Sequence, residues 1–183
     1  MTSASDADPS PLIVRATTAY VDAAWSIVHR CRASLDRAGI HQWDDVYPSR
    51  STVAEDVARE SLYVAGTNGA CQAIITLDDR EDEGYRTVSW SSDGPALVVH
   101  RLCVDPVYQG RGLARLMMRF AEQHATAYGY TSIRLDAYSA NPRSVELYRR
   151  LGYHEVGQVF FPRRSLPFLL FERLVGADSE SAG

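Results

Sequence analysis

Gln109-Gly110-Arg111-Gly112-Leu113-Ala114-Arg115 is the stretch whose residue types and spacing point most directly to chemistry. Glycines at 110 and 112 carry no Cβ, so a ligand can come close to the main chain. An apolar stripe at helical spacing (Leu113, Leu116, Met117 and Phe120) begins immediately afterwards. The glycines therefore sit at the start of a helix. There the first N–H groups lack intrahelical partners and the helix dipole is positive. Such an end holds anions, and Arg111 and Arg115 add charge beside it. A phosphate-bearing cofactor suits this chemistry. The run is not a P-loop, because no Gly-Lys-Ser/Thr closes it, and it lacks the third glycine of the dinucleotide fingerprint.

A second constellation follows at Asn141-Pro142-Arg143-Ser144-Val145-Glu146-Leu147-Tyr148. Asn141 suits an N-cap, Pro142 the first helical position, and Gly152 a C-terminal left-handed site. Asn141 and Tyr148 are almost two turns apart, so they share a helix face about 10 Å apart along the axis. Asn141 can then hold an extended arm while Tyr148 sits further along it. A phenol, with a reference pKa of about 10, is a sensible proton donor to a thiolate. Periodicity alone also fits Tyr148 as an ordinary half-buried aromatic.

The two runs match longer patterns. Gln109, Gly112 and Ala114 fit Gln/Arg-x-x-Gly-x-Gly/Ala. Residues Asn141 to Tyr153 fit Asn-x-x-(Ser/Ala)-x-x-Leu-Tyr-x-x-Leu-Gly-(Phe/Tyr). In this order they resemble the pyrophosphate loop and the second cofactor motif of the GNAT superfamily of N-acetyltransferases. The resemblance runs from Leu12 to Leu174 and is weakest before Leu62. It is similar to a bacterial branch with Gly-Ile-x-Gln-Trp-Asp-x-x-Tyr-Pro, here Gly39 to Pro48, and an aromatic-rich close, here Pro167 to Glu172.

That resemblance implies acetyl-CoA as cofactor and direct transfer of its acetyl group, in a ternary complex, to a small-molecule or peptide amine. It implies cofactor contacts from the backbone of Leu102, Cys103 and Val104, from the loop Gln109, Gly110, Arg111, Gly112, Leu113, Ala114 and Arg115, and from Asn141 and Tyr148. The N–H of Leu102 would polarise the carbonyl, and Tyr148 would protonate the departing sulfur. Many family members carry a Glu a few residues before Leu102; this chain has His100 instead. By strand parity, Val98, His100 and Leu102 face one side. An imidazole, with a reference pKa of about 6.5, can take the amine proton directly or through water. Asp44, Asp45, Glu83 and bulk water are the other candidates for that role, and a structural histidine is the plain alternative. The acceptor side falls to the loop after the first helix, with Trp43, Asp44 and Tyr47, and to Glu83. An aromatic beside carboxylates receives a cation. No metal-binding constellation is present; His29 and Cys31 are too closely spaced on a helix to share a face.

The elements that must position these residues can be read outward from them. Leu12 to Arg15 reads as a strand. A helix capped by Thr17 or Thr18 follows, with Tyr20, Ala24, Ile27, Cys31 and Leu35 as its stripe and Gly39 at its end. Ser51 to Arg59 reads as a short helix capped by Ser51. Ser61 to Ala65 and Ala70 to Leu77 are strands joined at Thr67-Asn68-Gly69, a hairpin signal. Asp78 to Gly94 is an acidic connection, Ala96 to Val104 the central strand, and Gly110 to Tyr128 a helix. A strand at Ile133 to Ala137, the Asn141 helix, and two last strands (about His154 to Phe161 and Phe168 to Leu174) complete the chain. The fold class is α/β: a mixed central sheet with helices on both faces, in the order of the GNAT-like acyl-CoA N-acyltransferase fold.

Composition bounds the rest. The 183 residues, 45% of them hydrophobic, suit one domain over 11–175, with disordered tails at 1–10 and 176–183. A net charge of −4 argues against nucleic-acid binding. No apolar run approaches a membrane span and no cationic, apolar leader opens the chain, so a cytoplasmic location is expected. Cys31, Cys71 and Cys103 are scattered, and read as free thiols. All 19 basic residues are arginine, so self-acetylation on lysine is impossible. A homodimer stays open. Two other readings remain: a catalytically silent acetyl-CoA-binding regulatory module, and a transferase with another acyl group or a hydroxyl acceptor.

Overall fold

The structure, a computed structural model, describes residues 10–67 and 69–176. Most of the two expected tails, and Asn68 of the expected hairpin, lie outside the described residues. Seven strands make one sheet: β1 (Leu12–Arg15), β2 (Leu62–Gly66), β3 (Ala73–Asp78), β4 (Ala96–Val104), β5 (Ser132–Tyr138), β6 (His154–Val159) and β7 (Phe168–Leu174). Their order is β1-β2-β3-β4-β5-β7-β6. Neighbours are antiparallel except β4 and β5, which run parallel.

Helices α1 (Val21–Arg37) and α2 (Arg50–Ala58) cover one face of the sheet; α3 (Leu113–Ala127) and α4 (Pro142–Arg150) cover the other. Side-chain alternation builds both faces. On β2, Tyr63 and Ala65 join the α3 core while Leu62 and Val64 join the α1 core. Met117, Met118, Ala121 and Ala125 of α3 are fully buried against the sheet, the expected consequence of an apolar stripe at helical spacing.

Three expected boundaries shift for local reasons. α2 begins one residue early because Ser49, not Ser51, caps it: Ser49 Oγ accepts from Thr52 N, and Thr52 Oγ1 returns the bond in a capping box. Neither Thr17 nor Thr18 caps α1, since a 3₁₀ turn at Thr18–Tyr20 precedes it. α3 starts at Leu113 rather than Gly110, because Gly110 and Gly112 both take the left-handed conformation, with φ of 81° and 82°.

Two irregularities at the centre of the sheet create the site. First, β4 and β5 pair only from Ala96–Ser132 to Val99–Leu135, although both strands continue. Beyond Val99 they part and leave an opening. Secondly, the β3–β4 register shifts between Ile74 and Thr76, where a bulge on β4 places Arg101 at φ 47°. The bulge inverts the alternation. Leu97 and Val99 point into the α3 core before it, and Leu102 and Val104 do so after it. The expected shared face of Val98, His100 and Leu102 is therefore corrected: Leu102 lies on the opposite face from the other two. The bulge is locked by Arg101, whose guanidinium donates to both oxygens of buried Asp56 at 2.8 and 2.7 Å and to Tyr47 Oη at 2.7 Å.

Candidate active site

The opening between β4 and β5 joins two cavities, of about 610 and 810 Å³. Leu102, Ser144 and Tyr148 line both of them. The larger lies over the N-terminus of α3 and is walled by Gln109, Gly110, Gly112, Leu113, Ala114 and Arg115, with Arg143 and Arg150 from α4. The first α-helical bond of α3 is donated by Leu116 to Gly112 O, which leaves the N–H groups of Leu113, Ala114 and Arg115 without helical acceptors. A Cβ built on Gly110 or Gly112 meets no atom within 4 Å, so the glycines face open space. The cradle thus fits a pyrophosphate: bare backbone, orphan donors and arginines around one hollow. Arg111 stands apart, its guanidinium over the Tyr108 ring at 5.3 Å rather than in the cavity. Arg143 and Arg150, which the sequence did not single out, stand with Arg115 in the wall.

Gln109 ties the cradle to the central strand. Its Nε2 donates to Val104 O at 3.1 Å, and its Oε1 accepts from Arg143 at 2.7 Å. Cys103 is buried on the other face, in the α1 core, so only its backbone is placed for a part here. Asn141 lines neither cavity: its Oδ1 caps α4 by accepting from Ser144 N at 3.3 Å, and its Nδ2 donates to Gln42 at 2.8 Å. Its side-chain contacts brace α4 against the loop after α1.

Tyr148 sits where the cavities meet. The residue is 7% exposed, its ring edge-on to Tyr153 and tilted against Phe171, with centroids 6.1 and 6.0 Å away. Burial pushes the phenol well above its ordinary pKa, and the charges of Asp136 and Cys103 act in the same direction. It stays protonated at every physiological pH.

The 610 Å³ cavity is bounded by β4, β5, the loop after α1 and the loops before β4 and β7. Trp43, Tyr47 and His100 line it. Asp44 and Glu83 do not. Glu83 is exposed on a 3₁₀ turn whose neighbours Glu81, Asp82 and Tyr85 face the cavity instead. Asp44 is a staple between loops. It accepts from Arg163 at 2.9 Å and Arg164 at 2.8 Å, and from the N–H groups of Val46 and Tyr47. Arg164 first, then Arg163, hold its carboxyl well below the usual range. A carboxylate so occupied suits neither a proton acceptor nor a free counter-ion, which corrects both expectations for Asp44. Asp45 pairs with Arg32 at 2.9 Å and is 95% exposed.

Asp44→Asn should lower thermal stability at neutral pH by only about 1 kcal/mol, because the staple is partly solvated. The folded-state pKa is depressed, so the contribution is complete above the ordinary carboxylate pKa of about 3.9 and fades as pH falls through the folded value. Thermal melts of both proteins should differ at pH 7 and converge in strong acid.

His100 Nε2 lies 3.1 Å from Asp78 Oδ1, forming a partly buried dyad in the cleft wall. Burial raises the Asp78 carboxyl, but the hydrogen bond and charge of His100 outweigh it and leave the group below its ordinary value. Asp136, unremarked in the sequence as one polar residue in an apolar strand, lines the same cavity just beyond the last β4–β5 pair. Its only signal was a carboxylate inside Ile133-Arg134-Leu135-Asp136-Ala137. The neighbouring Arg134 is buried and held by Glu172, Glu81 and the Ser92 carbonyl, which pins the segment before β4 onto the sheet. Among the described residues no cluster suits a metal ion and no helix is long and apolar enough to cross a membrane. Cys31, Cys71 and Cys103 are free.

A mixed sheet that parts at its parallel pair, with a glycine-rich helix start on one side and Tyr148 in the opening, is the architecture of an acetyltransferase. The chain belongs to the acetyltransferase (GNAT) family, whose model matches residues 28–153, and it is an N-acetyltransferase of that type. It is 30% identical over 154 residues to the N-alpha-acetyltransferase RimI of Mycobacterium tuberculosis, covering 82% of this chain and 84% of that one. Among solved structures, a GNAT-family acetyltransferase from Streptococcus agalactiae superposes with a TM-score of 0.77 at 22% identity, covering 90% of this chain and 95% of that one. The putative acetyltransferase YncA of Salmonella typhimurium, solved with acetyl-CoA, superposes at 0.67 and 21% identity, covering 91% and 95%. The expected fold is thus the observed one.

Proposed function

We propose that this chain transfers an acetyl group from acetyl-CoA directly to an amine within a ternary complex. The observation that carries the reading is the placement of Tyr148 where the cradle cavity meets the second one, with Leu102 beside it. Gln109, Gly110, Gly112, Leu113, Ala114, Arg115, Arg143 and Arg150 hold the pyrophosphate end, and the β4 backbone at Leu102 to Val104 aligns the arm. Bound acetyl-CoA supplies an activated acetyl thioester. The exchange breaks one C–S bond and forms one N–C bond. An ammonium loses two protons in becoming an amide: one ends on the released thiol, delivered through Tyr148, and the other reaches solvent. His100, oriented by Asp78, takes the second. An N–H at Leu102 aimed at the carbonyl would act as an oxyanion donor, worth a few kcal/mol of barrier. The test is calorimetric titration with acetyl-CoA followed by a free-thiol assay across a panel of amines. Tight binding and amine-dependent thiol release are expected; failure to bind acetyl-CoA would remove the reading.

The proton-acceptor role has its own test. The base must be neutral to accept a proton, so kcat/KM should climb with pH along an ascending limb. In His100→Gln that limb should vanish and the rate should fall by about tenfold or more. Persistence of the same limb in the variant would assign the proton to another group facing it, Asp136 or Asp78, or to solvent.

A further inference from the structure

We propose that the second cavity is built for a compact primary amine on an aromatic or similarly apolar body, its ammonium paired with Asp136 between the parted strands. This rests on the acetyl-transfer reading and names the acceptor class for it.

The charge balance of the wall singles out Asp136. Its carboxylate accepts one hydrogen bond, from Tyr85 Oη at 2.7 Å. Among the described residues no arginine or histidine nitrogen lies within 4.0 Å of it. The other carboxylates of this wall are occupied: Glu81 pairs with Arg134, and Asp82 is exposed and caps its own turn. Asp78, just behind, pairs with His100. Burial holds the Asp136 carboxyl above its ordinary value, while the hydrogen bond from Tyr85 and the charges of His100 and Arg101 pull it back and Asp82 adds to the rise. Asp136 is half-buried, and a partly desolvated carboxylate without a protein cation gains from a ligand that brings one.

The cations of the wall do not compete. Arg101 is bound to Asp56, and Arg163 and Arg164 to Asp44. Arg80 stands exposed at the rim. An anionic acceptor therefore meets no free buried partner. The remaining wall is largely aromatic: Trp43, Tyr47, Tyr85, Tyr138, Phe161 and Phe168. Rings of this kind favour an apolar body and a nearby cation together.

Shape then limits the size. Asp44 joins Arg163 and Arg164 behind the cavity wall, and Arg164 Nε also donates to Gln42 O at 2.8 Å. These bonds tie the loop after α1 to the loop before β7. A polypeptide running out between those loops would have to break the staple, whereas a small amine would not.

The experiment compares 2-phenylethylamine with its neutral analogue 2-phenylethanol by calorimetry on the intact protein saturated with coenzyme A, which cannot react. The amine should bind at least about tenfold more tightly than the alcohol. In Asp136→Asn, which keeps an acceptor for Tyr85, that preference should disappear while coenzyme A affinity stays unchanged. In turnover with acetyl-CoA the variant should raise the amine KM by about tenfold or more and move kcat less. Equal binding of amine and alcohol by the wild-type protein overturns the inference without needing any variant. So does an Asp136→Asn protein that keeps the preference, or a short peptide with a free α-amine that outcompetes 2-phenylethylamine. Loss of coenzyme A and acetyl-CoA binding is the separate failure, that of the donor reading.

Discussion

Tyr148→Phe should bind acetyl-CoA with nearly unchanged affinity and lose about 10²–10⁴-fold in the rate of acetyl transfer. The substitution deletes one hydroxyl and keeps the ring, whose contacts with Tyr153 and Phe171 fix its position. Packing and fold should barely change. What is lost is the proton that the departing sulfur needs. Burial raises the phenol's pKa, and the same burial disfavours a thiolate, so its demand for a proton rises alongside. The measurement is single-turnover transfer with a responsive amine, which isolates chemistry from product release. A variant that transfers at the wild-type rate removes the donor role. A wild-type protein that binds acetyl-CoA tightly and turns over no amine supports the silent regulatory module instead.

Gly112→Trp should abolish measurable acetyl-CoA binding, a loss of about 100-fold or more in affinity, because an indole would fill the space the pyrophosphate needs. The space is real: nothing lies within 4 Å of a Cβ at this position. Gly112 also has φ 82°, so a non-glycine residue adds about 1–2 kcal/mol of backbone strain. The melting temperature should fall modestly while the circular dichroism spectrum stays native-like. Calorimetry separates the two effects. A folded Gly112→Trp protein with intact affinity would move the cofactor away from this loop.

The two predictions draw on different parts of the molecule, and they differ in how far sequence could reach. The cradle was legible because it is local. A glycine pair before an apolar helical stripe dictates a helix start with bare N–H groups, whatever surrounds it. The same holds for α4, whose cap Asn141, first-turn Pro142 and terminal Gly152 stand within a dozen residues of one another, and for the alternation that made the strands.

The second cavity was decided by tertiary structure. The bulge at Arg101 depends on Asp56 from α2 and Tyr47 from the loop after α1, both far away in the chain, and it reversed the strand parity on which the facing of Leu102 had been reckoned. Asp44 looked like a free carboxylate until Arg163 and Arg164 arrived from the other end of the chain. Asp136 gained its character from the parting of β4 and β5, an absence of pairing that no run of residues announces. Local backbone chemistry travels with the residues themselves. A carboxylate's role depends on which cation, or none, the folded chain sets beside it.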